Sequence, residues 1–285
     1  MNNPKESLDW DFRIEPNNEP LSVGFSKVWK YRDLLMLFVK RDIVTVYKQT
    51  ILGPLWFFIQ PILTTITFMF IFGNLAGLST DGVPQVLFYL SGVTIWNYFN
   101  ETLTQTSKTF TENAPIFGKV YFPRLVIPLS KVISNLLKFA IQFGLFLITL
   151  IIYYLLGKDV APNIFILLTP FLLLLMGGLG LGFGLISSAL TTKYRDLTFL
   201  IAFGVQLLMY ATPVIYPMSS ISEKYQLFLW LNPLTSIVES FKYAFLGSGV
   251  LSWIWLGYSF LFTSVLLFLG ALTFNKIEKS FVDTV

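Results

Sequence analysis

The fold class this sequence predicts is an all-α polytopic membrane protein. It comprises six transmembrane helices, an N-terminal amphipathic interfacial helix and a re-entrant helix pair between spans five and six. Three observations predict it. Of the 285 residues 54% are hydrophobic and only 13% charged, with a mean hydropathy of +0.67; a soluble chain carries about 25% charged residues, so half of the charged surface is missing. Six apolar stretches, 54–74, 84–105, 126–156, 163–190, 197–217 and 251–274, suit a hydrocarbon core that takes about 20 helical residues to cross. Finally, Lys and Arg collect on one side of those stretches.

Taken in order, residues 1–21 form a polar tail with charges of both signs and no apolar run of secretory type. Its Asp9-Trp10-Asp11 resembles the paired carboxylates with which glycosyltransferases hold a metal-bound sugar nucleotide, but a solvated tail is the preferred reading of so short a match. Residues 22–50 follow as a cytoplasmic interface helix. Phe25, Val28, Trp29, Leu35, Met36, Val39, Ile43, Val46 and Tyr47 recur at steps of three and four, with Lys27, Lys30, Arg41 and Lys48 largely opposite. Such a helix lies in the headgroup plane with its basic side toward water. The six-span domain occupies 51–275, and 276–285 is a short cytoplasmic tail. Within the domain, 226–247 is apolar but broken by Asn232-Pro233 and carries Glu239 and Lys242, so two short re-entrant helices suit it better than a full span. An ordinary extracellular loop is the alternative.

Fifteen Lys and Arg fall in the segment before span one, the two-to-three loop, the four-to-five loop and the tail, against Lys158, Lys224 and Lys242 on the other side. The positive-inside rule therefore puts both termini in the cytoplasm, which requires an even number of spans. A net charge of +4 would suit nucleic acid in a soluble chain; here it belongs to cytoplasmic loops, and no nucleic-acid partner is expected.

The chain has no Cys and no His, which excludes disulfides, thiolate nucleophiles, Cys- or His-bound metals and Ser-His or Cys-His catalysis. Gly118-Lys119 and Gly157-Lys158 lack the other residues of a P-loop, so any ATP is bound by another chain. The glycines of GGLGLGFG, 177–184, lack dinucleotide spacing; Gly178 with Gly182 and Gly180 with Gly184 suit close helix packing instead. Ionisable residues inside the spans are few. Each costs about 2.5–3.5 kcal/mol at a span centre. Glu101 lies near the inner end of span two, and Lys131 and Lys138 lie in the inner half of span three, where snorkelling to the headgroups is the expected role. Most Trp and Tyr residues suit an interfacial belt. A subset lining a conduit, Trp56, Trp96, Tyr98 and Tyr210, with Gln60 and Gln206, would offer flat amphipathic faces and amides to sugar rings.

Three blocks, ENAPIFGKVYFPRLVIPLS, YRDLTFLIAFGVQLLMYATPVIYP and NPLTSIVESFKYAFLG, together resemble the permease subunit of ABC-family polysaccharide exporters, which move lipid-linked O-antigen, capsular polysaccharide or teichoic acid across the bacterial inner membrane. The resemblance extends from about residue 25 to 275. It implies a homodimer paired with two copies of a separate ATPase that carries the ATP and magnesium, with no cofactor and no catalytic residue on this chain. It places the ATPase-coupling element at Asn113, Pro115, Phe117, Lys119, Tyr121, Phe122, Pro123 and Arg124, flanked by Arg32 and Asp33 of the interface helix and by Lys193, Tyr194, Arg195 and Asp196 of the four-to-five loop. The re-entrant pair around Asn232 and Pro233 is implied to sit at the periplasmic mouth. An exporter of a drug or small lipid is the nearest alternative. A lipid-dependent glycosyltransferase would need an acidic constellation, which Asp9, Asp11, Glu101 and Asp196 do not form, and a secondary transporter would show a duplicated half.

Overall fold

The computed structural model describes residues 25–48, 52–117, 119–120, 122–158, 160–194 and 196–282. Asp9, Asp11, Tyr121 and Arg195 lie outside the described residues, as does the whole 1–21 tail. The described residues form helices and no strand. In order they are α1 (Phe25–Lys30), α2 (Arg32–Lys48), α3 (Trp56–Phe68), α4 (Gln85–Ser107), α5 (Thr109–Phe117), α6 (Val126–Leu155), α7 (Thr169–Lys193), α8 (Leu197–Tyr210), α9 (Glu223–Trp230), α10 (Pro233–Leu246) and α11 (Trp253–Val282).

Four stretches among the described residues are long and apolar enough to cross a membrane: Gly53–Leu75, Val126–Leu155, Ile164–Lys193 and Trp253–Ile277. The first joins α3 to a 3-10 turn ahead of it and a π-helical turn after it. Two expected spans differ. With 23 residues α4 is about 35 Å long and sufficient to cross, but Asn97, Asn100 and Glu101 dilute its apolar character. It tolerates them because it is the central helix, packed by α3, α6, α7 and α10 and buried without interruption from Leu87 to Trp96. The apolar run at 197–217 is helical only to Tyr210; 14 residues give about 21 Å, and Pro213 and Pro217 keep the remainder out of the helix. The expected interface helix is likewise two pieces, interrupted at Tyr31.

The glycines of α7 divide between two neighbours. A Cβ on Gly177 would lie 2.5 Å from the Tyr98 hydroxyl, on Gly180 2.9 Å from Thr102 Cβ and on Gly184 2.5 Å from Thr106 Cβ, all on α4. On the other side, Cβ atoms at Gly178 and Gly182 would meet Thr263 and Leu266 of α11 at 2.7 and 2.8 Å. Numbers rise together in both sets of pairs, so α4, α7 and α11 run parallel. Polar pairs of α4 with α6, Asn97 with Gln142 and Glu101 with Lys138, run the opposite way. This is the alternation that successive crossings require. We expect Gly184→Val to destabilise the fold by about 1–3 kcal/mol through overpacking, seen as a lower melting temperature in detergent. Gly204→Val on α8, where a Cβ meets nothing within 4 Å, should leave it unchanged.

Candidate functional site

One end of the bundle gathers α2, α5, the start of α6 and the ends of α7 and α11, and it carries most of the described Lys and Arg. The loop between α4 and α6 is built around aromatic rings. Phe110 stacks on Phe274 of α11 with centroids 4.6 Å apart, Phe117 lies 5.8 Å from Phe110 and 5.9 Å from Phe122, and Phe122 reaches Phe38 of α2 at 5.7 Å. All five rings are buried. Arg124 is also buried, its guanidinium 5.1 Å above the Phe117 ring. Asn113 turns inward too, its amide donating to the Thr109 carbonyl at 2.9 Å. Of the residues expected to couple to an ATPase, Phe117, Phe122, Asn113 and Arg124 therefore hold the loop together, because α2 and α11 stand close enough to cover them. Pro115 and Lys119 stay exposed and Pro123 half-buried, and Glu112 and Val120 add to the outer surface.

The interface helix differs from its expected one-sided pattern. Val28, Phe38 and Val39 are buried, and α2 packs along α6, while Trp29, Met36 and Leu37 remain exposed on the outside; the side chains of Phe25, Val46 and Tyr47 lie outside the described set. Arg32 and Asp33 form an exposed pair at 4.0 Å. Farther along, Asp42 accepts from Arg41 at 2.9 Å and faces the Lys131 ammonium at 2.8 Å. Lys138 donates to Glu101 at 2.6 Å and lies 5.9 Å from the Phe57 ring. Both lysines are thus paired across helices, each with a carboxylate that the sequence alone does not assign to it. Their partners sit on α2 and α4, far away in sequence. In the loop between α7 and α8, Lys193, Tyr194 and Asp196 are exposed, and the Lys193 ammonium lies 5.2 Å from the Tyr194 ring. Thr191 donates to the Ser107 carbonyl at 2.8 Å, which keeps this loop beside the α4–α5 turn.

The six expected conduit residues separate. Trp56 and Gln60 on α3, and Gln206 and Tyr210 on α8, are exposed. Trp96 and Tyr98 are only 3% and 4% exposed. They pack on Phe99 and Phe139 at 5.4 and 5.7 Å, so they belong to the core and not to an exposed wall.

At the opposite end, α9 and α10 meet at Asn232-Pro233 as the sequence implied. Asn232 caps α10 by accepting from the Leu234 N–H at 3.1 Å, and its amide donates to the Ala211 carbonyl and the Thr212 hydroxyl. Trp230 stacks on Trp255 of α11 at 5.7 Å. Glu239 and Lys242, one turn apart on α10, are each 1% exposed. The ammonium donates to the Pro213 carbonyl at 2.6 Å and the Val214 carbonyl at 3.3 Å and sits 3.7 Å over the Phe88 ring; the carboxylate accepts from the Val250 N–H at 3.1 Å. From the sequence, both charges fall with Asn232 and Pro233 in the segment expected to be re-entrant and periplasmic, and they count against a full span, without a partner for either. Their spacing of three on an apolar helix was the available signal that they share an interior face.

The match to known proteins covers most of this arrangement. A family model described as ABC-2 type transporter matches residues 33–246. An O-antigen export system permease protein RfbA of Klebsiella pneumoniae is 30% identical over 253 residues, 88% of this chain and 94% of that protein. The polysialic acid transport protein KpsM of Escherichia coli is 23% identical over 86% of this chain and 93% of its own. The capsule polysaccharide export inner-membrane protein CtrC of Neisseria meningitidis is 24% identical over 84% and 89%. A multi-pass helical chain matched from α2 to the end of α10 by that model, and along nearly the full length of such a relative, belongs to the ABC-2 type transporter family.

Proposed function

We propose that this chain is the membrane-spanning permease subunit of an ATP-driven exporter that moves a lipid-linked polysaccharide across the bacterial inner membrane. The observation that carries the reading is the similarity to an O-antigen export permease over 88% of the chain, spanning both loop systems and the helix pair at the far end. In this reading two copies pair with two copies of a separate ABC ATPase, which binds the ATP and magnesium. The basic end faces the cytoplasm with both termini, six crossings carry the chain back to it, and α9 with α10 dips into the membrane at the periplasmic mouth. The fifteen-to-three distribution of Lys and Arg supports that sidedness. Exposed Glu112, Pro115, Lys119 and Val120 would meet the ATPase, with Arg32, Asp33, Lys193, Tyr194 and Asp196 beside them. Trp56, Gln60, Gln206 and Tyr210 would face a pathway between the two copies.

The test of function is deletion. Cells lacking the chain should lose surface polysaccharide and accumulate the lipid-linked polymer inside, and undiminished export would overturn the proposal. Sidedness has its own test, because the chain is naturally free of Cys. A single Cys at Ser79 or Lys224 should react with an impermeant thiol reagent added to intact cells, and one at Asn3 should not. The purified chain alone should turn over no ATP, a result checked by phosphate release with and without the ATPase.

A further inference from the structure

From residue 97 to the C-cap at 108, α4 has six partly exposed positions, Asn97, Asn100, Glu101, Thr104, Gln105 and Lys108, and every one is polar. The six positions between them, Tyr98, Phe99, Thr102, Leu103, Thr106 and Ser107, are all buried. At 3.6 residues per turn the exposed set occupies one sector about 140° wide and roughly 16 Å long. The stripe ends near the middle of α4, since Leu87 to Trp96 is buried, and it runs toward the basic end. On the other long helices the exposed residues include Ile62, Leu63, Ile66, Ile148, Leu174 and Leu261. A polar stripe in an apolar belt does not face acyl chains, because polar groups there lose their hydrogen-bond partners.

What the stripe offers is specific. Its carboxylate is satisfied: Glu101 accepts from Lys138 at 2.6 Å and from the Gln105 amide at 3.4 Å. Asn97 donates to Gln142 at 3.3 Å, and the Thr104 hydroxyl donates to Asn100 at 3.3 Å. With that charge neutralised within the protein, the surface between Asn97 and Gln105 is amide and hydroxyl groups, which both donate and accept, and Lys108 puts an ammonium only at its margin toward the basic end. Such groups suit a hydroxyl-rich neutral polymer and are ill-suited to a bare ion. α3 stands beside the stripe, because the Lys138 ammonium that holds Glu101 lies 5.9 Å from the Phe57 ring, and the neighbouring Trp56 and Gln60 are exposed.

We propose that this stripe is the hydrated wall of the conduit in the half of the membrane next to the basic end, and that it hydrogen-bonds saccharide hydroxyls of the polymer in transit. The proposal rests on the exporter reading. Because the chain has no native Cys, one Cys at Asn100 or at Thr104 reports alone. In membranes containing the full complex, a charged methanethiosulfonate should label either site about tenfold or more faster than Ile148→Cys or Leu261→Cys, since a thiolate forms only where water reaches. Membranes from cells making the polymer should label more slowly at these sites than membranes from cells blocked in its synthesis. Labelling at the rate of the lipid-facing controls would overturn the proposal, as would a disulfide joining two copies through Asn100→Cys, which would make the stripe a subunit contact. Labelling indifferent to polymer would also overturn it. Export measured in the parent strain and after deletion of the chain tests the exporter reading separately, so the two failures are distinguishable.

Discussion

Lys242→Met is expected to lower stability by about 3–5 kcal/mol, the loss seen when one member of a buried charged arrangement is removed. The ammonium is enclosed and has three partners: the carbonyls of Pro213 and Val214 and the face of Phe88. Methionine would fill much of the volume but donate nothing. Two carbonyls just past the end of α8 would lose their donor, and Glu239, one turn away and 1% exposed, would lose its nearest compensating charge. Glu239 in turn holds Val250, so two loops that flank α10 depend on this pair. The same segment is tied to the α3–α4 connection by Ser219, whose hydroxyl donates to Asp81 at 2.7 Å. Thermal denaturation in detergent gives the measurement, and proteolysis within 211–222 gives a local readout. Glu239→Gln should be milder, because an amide oxygen still accepts from Val250. Coupled residues are not additive, so the double variant Lys242→Met, Glu239→Gln should lose less than the sum of the two single losses. A Met variant that melts with the parent would show that the ammonium is dispensable.

Much of the helical layout was legible because long apolar runs have few ways to satisfy their backbone in a membrane. The packing role of Gly178, Gly180, Gly182 and Gly184 was legible for a related reason, since spacing alone places small residues on a common face. The rest required tertiary knowledge. The run at 197–217 stays apolar past the end of α8, so hydropathy ignores the Pro213 and Pro217 that stop the helix. Trp56 and Trp96 are the same residue type, yet the first, at the start of α3, is outside and the second, midway along α4, is in the core, because only Trp96 lies on the enclosed stretch of the central helix. Lys131 and Lys138 share a face and read as snorkelling residues, with no local sign that Asp42 and Glu101 stand beside them. An amphipathic pattern of three- and four-residue steps in α2 likewise names one apolar side without showing that Val39 packs on the bundle while Met36 points away.

The loop between α4 and α6 is the second place where a large effect is expected, and its direction distinguishes two roles. Read from sequence, Phe117 is a docking anchor, and its loss would chiefly weaken ATPase binding. In the structure it is one of five buried rings joining α2, α5 and α11, with Arg124 above it. Phe110→Ala or Phe117→Ala should therefore cost about 3–5 kcal/mol of folding stability, the range for emptying a buried aromatic site. Thermal denaturation of the chain without any ATPase should already show the loss. Docking should instead respond to the surface residues. Lys119→Glu should leave the melting temperature unchanged while weakening copurification of the ATPase by about tenfold, equivalent to a single well-placed contact. The charge reversal changes an exposed side chain and leaves the ring cluster intact. If Phe117→Ala melted with the parent yet released the ATPase, the ring would be a direct anchor after all. If Lys119→Glu bound normally, the partner would be held elsewhere, with exposed Arg32 and Tyr194 the next residues to change. A rigid loop is also what the proposed coupling would need: an ATPase docked on Pro115 and Lys119 would push against the ring cluster, whose contacts run to α11 through Phe274 and to α2 through Phe38.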